Sequence, residues 1–223
     1  RRLSSAASDV YKRQVILDVN ELAKEHEFFS TGGLYVSPNE NLLAYGEDTL
    51  SRRIYTIRVK DLATGGYLKD EVEGASSGVA WQNDNQAFYY IKKDPQTLLG
   101  YQVYRHVLGT PQSSDELIYQ EDDSAYYMSL GKSKDGEQVY IFHSSTETSG
   151  VSVIDANDPK AKAEPFYPRE EGIEYSIAKL NDWYYIYTNY QAVNFRLMKV
   201  HKDQMHDRSK WQDVIAADDK TQL

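Results

Sequence analysis

The chain has 223 residues, 40% hydrophobic and 26% charged, and its 34 acids outnumber 25 bases for a net charge of −9. This length suits one large domain; the acidic balance argues against a nucleic-acid surface, which needs clustered Lys and Arg, and suits cationic ligands. No run approaches eighteen apolar residues, so no membrane-spanning helix is expected, and the absence of cysteine excludes disulfides and thiolate metal sites.

Residues 1–14, RRLSSAASDVYKRQ, are basic, Ser-rich and too poor in apolar residues for a signal peptide. They do not lead into the pattern that follows and read as a non-native tail. Residues 15–32 read as a linker, within which DVNELAKEHEF at 18–28 predicts a short helix capped by Asp18 or Asn20. The other end, ADDKTQL, brings no closing element, so the chain reads as part of a longer protein. A cysteine-free chain fits a reducing compartment, and the expected location is the cytoplasm, with the periplasm left open.

From residue 33 onward helical periodicity gives way to a recurring unit: a strand, a turn, a strongly apolar strand, a second turn and two more strands. The nineteen tyrosines, against six Phe and three Trp, suit strands that bury a ring and keep its hydroxyl near water. The apolar second strands are LLAYGED (42–48), AFYYIKKD (87–94), VYIFHSST (139–146) and WYYIYTNY (183–190). Aligning Leu43, Tyr89, Tyr140 and Tyr185 gives spacings of 46, 51 and 45 residues. The third strands begin near Tyr55, Tyr101, Val151 and Phe195, and the turn signals SPNEN, QNDNQ, SKDGE and LND precede the second strands. A four-stranded unit repeating every 40–50 residues predicts an all-β fold, a β-propeller. Its blades fall at about 33–74, 75–123, 124–172 and 173–219, each packing on its neighbours.

Candidate chemistry is sparse. Gly74-Ala75-Ser76-Ser77-Gly78 matches the G-x-S-x-G pattern of a nucleophile elbow, which works only when a strand–turn–helix exposes the serine. Strand and turn residues follow instead, so the stretch reads as a loop joining two blades. None of the five histidines (His26, His106, His143, His201, His206) has metal-ligand spacing. His201 and His206 flank a polar loop, and His143 reads as a hydrogen-bonded structural residue. Glu121-Asp122-Asp123 and Glu170-Glu171 read as solvated acidic runs at blade junctions, with a rim that attracts basic peptide as the lesser reading. No phosphate-cradling glycine loop occurs, and neither a cofactor nor a metal is expected. The stretch KDPQTLLGYQVYRHVLGT at 93–110 is dense in reactive side chains, but it reads as a turn and a strand. Strand alternation sends Arg105 and His106 to opposite faces, so they cannot share one site.

The same stretch resembles a hairpin of the prolyl oligopeptidase family of serine peptidases, in its oligopeptidase B branch. LDVNELAKEHEFFSTGG, VSPNENLLAYGEDTLSRRIYTIRVKDLATG, HSSTETSGVSVIDANDP, FYPREEGIEYS and NFRLMKV agree in the same order, over roughly residues 15–217. Departures are Gly100 where the family usually has Pro, Tyr104 for Trp, and Gly150 for an acid. The resemblance implies a seven-bladed propeller, of which this chain holds about four blades. It also implies an α/β-hydrolase domain with a Ser-Asp-His triad, whose residues lie outside this sequence. It further implies cleavage of short peptides after Arg or Lys, with the propeller excluding folded proteins. On that basis Glu27, near the domain junction, is a candidate for holding a cationic substrate, or it only caps a helix. Arg52 and Arg53 are candidates for bridging to the hydrolase domain, against a reading as plain surface charges. The alternative is a non-enzymatic propeller acting as a protein- or ligand-binding scaffold, which composition and repeat spacing alone do not separate.

Overall fold

The computed structural model describes residues 15–221, so the reading of residues 1–14 as a tail lies outside the described residues. The linker holds one helical turn, α1 (Val19–Leu22), continued by a 3-10 turn at Ala23–Glu25. Asp18 is the cap: its Oδ1 accepts from the backbone N–H of Asn20 at 3.0 Å and of Glu21 at 3.2 Å. The helix stops short of residue 28. His26 turns to an extended conformation, and its ring stacks on Phe29 at 5.4 Å. No residue of the helix is buried, so nothing beyond local propensity sustains further turns.

Among the described residues, fifteen strands follow. β1 (Ser30–Val36), β2 (Leu42–Asp48), β3 (Tyr55–Asp61), β4 (Tyr67–Trp81), β5 (Ala87–Lys93), β6 (Gly100–Val107) and β7 (Glu116–Gln120) form a seven-stranded antiparallel sheet in chain order. β8 (Tyr127–Lys132), β9 (Gln138–Ser144), β10 (Ser149–Asp155) and β11 (Glu164–Pro165) form a second sheet; β12 (Tyr175–Leu180), β13 (Trp183–Thr188), β14 (Arg196–His201) and β15 (Gln212–Ile215) form a third.

The long sheet is two blades sharing one strand. The first half of β4 pairs with β3 (Ile57 with Val72, Arg58 with Glu71), and the second half pairs with β5 (Val79 with Tyr90, Trp81 with Phe88). Ala75 is in register with both Tyr55 and Lys92. The GASSG stretch, expected as a loop between blades, is therefore the middle of a continuous strand. Gly74, at φ +71°, and the register shift between Ala75 and Val79 bend that strand from one blade into the next. Ser76 lies within it with no helix following, so the geometry of a nucleophile elbow is absent there.

The repeat is visible in the turns. Between first and second strands each blade places one residue in the left-handed region: Glu40, Asn85, Gly136 and Asn181. Ser37 Oγ donates to Asn39 Oδ1 and accepts from Leu42 N, while Ser133 Oγ donates to Asp135 Oδ1 and accepts from Gln138 N. The core sits between blades. Phe88 and Tyr90 of β5 pack with Ala44, Ile57 and Val72 of blade one, whereas Tyr89 and Ile91 pack with Val139 and Ile141 of blade three. That is why AFYYI is apolar at every position: both faces of the strand are covered, and each large side chain so buried contributes about 1.5–3 kcal/mol. Polar ties between blades follow the repeat length, as in Trp81 Nε1 to Tyr35 O (2.8 Å) and Gln138 Nε2 to Tyr184 OH (2.5 Å), both 46 residues apart.

In each blade the hairpin from second to third strand lies at the end where the first strand begins, because Ser30 pairs with Asp48, Tyr127 with Ser144 and Tyr175 with Thr188. These ends make up one face, the hairpin face.

Candidate functional site

The hairpin face carries three of the residues singled out in the sequence, Glu27, Arg52 and Arg53. In the β2–β3 hairpin the buried Asp48 carboxylate accepts from the backbone N–H of Leu50 (2.9 Å), Arg52 (3.4 Å) and Arg53 (2.7 Å). Burial opposes its charge, yet these N–H groups hold its carboxyl below the usual carboxylate range. Arg53 takes φ 54° to complete the turn. Lys93 Nζ donates to Arg53 O at 2.9 Å, and Arg52 Nη2 donates to Pro95 O at 3.2 Å, so the hairpins of blades one and two interlock. Burial and the neighbouring Arg53 lower the pKa of Lys93. The Arg53 side chain is exposed and makes no hydrogen bond or ion pair among the described residues. Glu27 is exposed three residues before β1, at the same end of the sheet, and is likewise unpaired among the described residues. It does not cap α1, since Asp18 does. Among the described residues no hydrogen bond or ion pair joins Glu27 to either arginine.

Arg105 and His106 separate as strand alternation requires. Arg105 Nε donates to Gln82 Oε1 at 2.8 Å. On the other face His106 Nδ1 lies 2.8 Å from Asp115 Oδ1, and Nε2 lies 3.0 Å from Asp70 Oδ1. The three side chains are 1%, 1% and 4% exposed. Gly109 N–H donates to Asp70, and Tyr90 OH to Asp115. A carboxylate only accepts, so carboxylates at both ring nitrogens call for an imidazolium. Burial opposes that charge, but the hydrogen bonds to Asp115 and Asp70 outweigh it and raise the pKa of His106 above its ordinary value. The clamp ties β4 on the blade-one side to β6 and the approach to β7.

A second cluster has the outline of a nucleophile, base and acid. His143 Nε2 lies 3.0 Å from Ser152 Oγ, and its Nδ1 lies 3.3 Å from Glu121 Oε2 without a well-aligned hydrogen bond. Three features rule out a working triad. Ser152 and His143 are buried, so no substrate reaches the hydroxyl. The Glu121 carboxylate is taken by Arg169, whose Nη1 and Nη2 donate at 2.7 and 3.2 Å, and by Tyr119 OH at 3.1 Å. Burial, with Arg169 nearby, drives the pKa of His143 down to about 4, leaving a neutral ring. His143 is a hydrogen-bonded structural residue, as its sequence position suggested.

Glu121 corrects another expectation. The sequence places it in a solvated run, but it is buried and central to the junction of blades two and three, while Asp122 and Asp123 are exposed. Its burial follows from its partner: Arg169, from the stretch leading to β12, also lies over the Tyr126 ring at 3.9 Å. Glu170 is exposed but accepts from Arg208 Nη1 at 2.9 Å. Arg208 in turn lies 4.1 Å from both Tyr167 and Tyr190. His206 Nδ1 lies 3.1 Å from Phe166 O, and His201 stands edge-on to Trp183 at 5.4 Å, so neither is a bare loop histidine. Among the described residues no group of three or more His, Cys, Asp or Glu could hold a metal ion.

Comparison with known proteins agrees with this architecture. The family model described as "Prolyl oligopeptidase, N-terminal beta-propeller domain" matches residues 1–223. The chain is 39% identical to dipeptidyl aminopeptidase BI of Pseudoxanthomonas mexicana over 96% of its length, and 32% identical to protease 2 of Moraxella lacunata over 83%. It spans 29% and 27% of those proteins. Oligopeptidase B from Leishmania major superposes with a TM-score of 0.86 at 28% identity, covering 95% of this chain and 30% of that one.

Proposed function

Because the chain belongs to the prolyl oligopeptidase family, as its N-terminal β-propeller domain, we propose that it is the substrate-gating part of a serine oligopeptidase that cleaves short peptides after Arg or Lys. The chemistry then resides in an α/β-hydrolase domain of the same protein. Attack on a peptide needs an accessible, activated serine and an oxyanion hole. The described residues offer only the buried Ser152–His143 pair, so the chain by itself is expected to be inert. Its role is steric and electrostatic: the hairpin face carries Glu27, Arg52 and Arg53. The observation that supports the reading most is the hairpin of blade one. Asp48 and Lys93 fix the backbone of Arg53 on both sides, while its guanidinium is left unpaired among the described residues. A side chain presented so firmly and left unpaired suits a bridge to an acidic group on the hydrolase domain. Glu27 is proposed to attract the cationic peptide, and the protein is proposed to be cytoplasmic.

The test is hydrolysis of fluorogenic peptides with Arg, Lys, Pro or Ala before the scissile bond. The full-length protein is expected to prefer Arg and Lys, and the chain alone to cleave none. Preference for Pro would overturn the proposed specificity. Cleavage by the chain alone would overturn the division of labour. A full-length protein that cleaves nothing would leave the propeller as a binding scaffold.

A further inference from the structure

A pocket of about 320 Å³ opens on the hairpin face between blades three and four. Its walls are mainly aromatic. Tyr187 and Phe195 stack at 4.7 Å with an 11° angle between rings. Phe142 also lines it, and a glycine gives its ring room: a Cβ on Gly131 of β8 would lie 2.8 Å from Phe142 Cε2.

One acid stands in this setting. Glu174, just before β12, has its backbone held at both ends, with its N–H donating to Asn189 Oδ1 at 2.8 Å and its carbonyl accepting from Thr188 Oγ1 at 2.8 Å. Glu174 lines the pocket, and its carboxylate makes no hydrogen bond or ion pair among the described residues. The cation beneath the pocket is already committed: Arg169 passes under Gly150 and is paired bidentately with Glu121. The charge of Glu174 is therefore not neutralised from within.

We propose that this pocket binds an organic cation of a peptide, an ammonium or guanidinium group, with Glu174 as counter-ion and the Phe142, Tyr187 and Phe195 rings as its wall. The inference rests on peptides being the substrate. Aromatic rings attract a cation through their faces and bury its apolar stem. A carboxylate accepts charge-assisted hydrogen bonds from it, and the chain's net charge of −9 favours its approach. The pocket shares a face with Glu27, Arg52 and Arg53, so a peptide admitted at that face can reach it. Two parts of a peptide supply this chemistry: its free amino terminus, and a Lys or Arg side chain away from the scissile bond.

The experiment uses the full-length protein and peptides that share one scissile Arg. Each has a free or acetylated amino terminus and, several residues upstream, Lys or norleucine. Glu174→Gln keeps the shape and removes the charge. It is expected to raise KM on the order of fivefold for peptides carrying an additional cation, with kcat unchanged. The acetylated norleucine peptide should have the same KM with both proteins. Whether the free-amino or the Lys peptide loses more affinity identifies the bound group. Phe195→Leu, which removes the stacked wall and keeps the carboxylate, should raise the same KM values by a smaller factor. Equal KM values for wild type and Glu174→Gln, or a rise that ignores the additional cation, would overturn the pocket. A wild type that cleaves none of the peptides would instead overturn the peptidase reading beneath it.

Discussion

Blades one and two share a strand, whereas between blades two and three the chain passes from one sheet to another. β4 passes through the first junction as a single strand paired on both sides. At the second, β7 ends at Gln120 and β8 begins at Tyr127 in another sheet. Each junction buries a histidine, one charged and one neutral. His106 has a carboxylate at each ring nitrogen and no competing cation, so it is an imidazolium. His143 approaches a carboxylate that Arg169 has already neutralised, so it stays neutral. Burial alone does not set the charge of a histidine. What decides it is whether the nearby carboxylate already has a partner.

The sharpest way to break this contrast is His106→Leu. It leaves Asp70 and Asp115 buried with no cation, which costs about 4 kcal/mol in the range for breaking a buried pair. Denaturant unfolding of the protein measures it, and a cost below about 1 kcal/mol would show that the clamp carries no charge. Next in size is Arg169→Met. It strands the Glu121 carboxylate and removes the contact over Tyr126, costing about 3 kcal/mol. It should also convert the second junction toward the first: with Glu121 freed, the pKa of His143 should rise from about 4. A titration followed by NMR reads that shift directly.

The two histidines also predict a stability maximum between acid and alkali. His106 has a raised pKa in the folded state, so its contribution is complete below the unfolded value of about 6.5. That contribution is lost as pH rises through the raised folded value. His143 has a folded pKa near 4, so the unfolded chain binds its proton first and stability falls as pH drops from about 6.5 toward 4. Thermal midpoints across this range should fall on both sides. His143→Gln should flatten the acid limb and leave the alkaline limb in place.

The fold was legible because the turns carry their own chemistry. LLAYGED at 42–48 is β2 residue for residue, and AFYYIKKD at 87–94 overruns β5 by one residue, because runs covered on both faces stand out between Asn-, Asp- and Gly-rich turns. GASSG misled because glycine and serine usually mark loops; here Gly74 bends a strand that continues. The clamps were not legible. His106 could be assigned to a face, but Asp70 lies 36 residues before it, and no local pattern pairs them. Glu121 was hidden by its exposed neighbours Asp122 and Asp123. An acid directly after the strand β7 was the only hint, and its partner lies 48 residues on. Glu27, Arg52 and Arg53 were found through family resemblance; the structure adds the backbone geometry that fixes Arg53.

The smallest expected effect on stability belongs to Arg53→Glu, and it separates a structural role from a bridging one. The guanidinium is exposed and unpaired among the described residues, so the fold should change by less than about 0.5 kcal/mol. The backbone bonds that set the turn, from Arg53 N to Asp48 and from Lys93 to Arg53 O, do not involve the side chain. A local signature should accompany the change: Lys93, now lowered partly by the charge of Arg53, should move upward toward its ordinary value once that charge is reversed. If Arg53 bridges to the hydrolase domain, the same variant of the full-length protein should lose peptide hydrolysis on the order of tenfold, because reversing one partner replaces attraction by repulsion. That loss should shrink as salt is raised, since screening weakens the repulsion. Unchanged hydrolysis, alongside the expected shift at Lys93, would assign Arg53 to the surface and confine the ties of this corner to blades one and two.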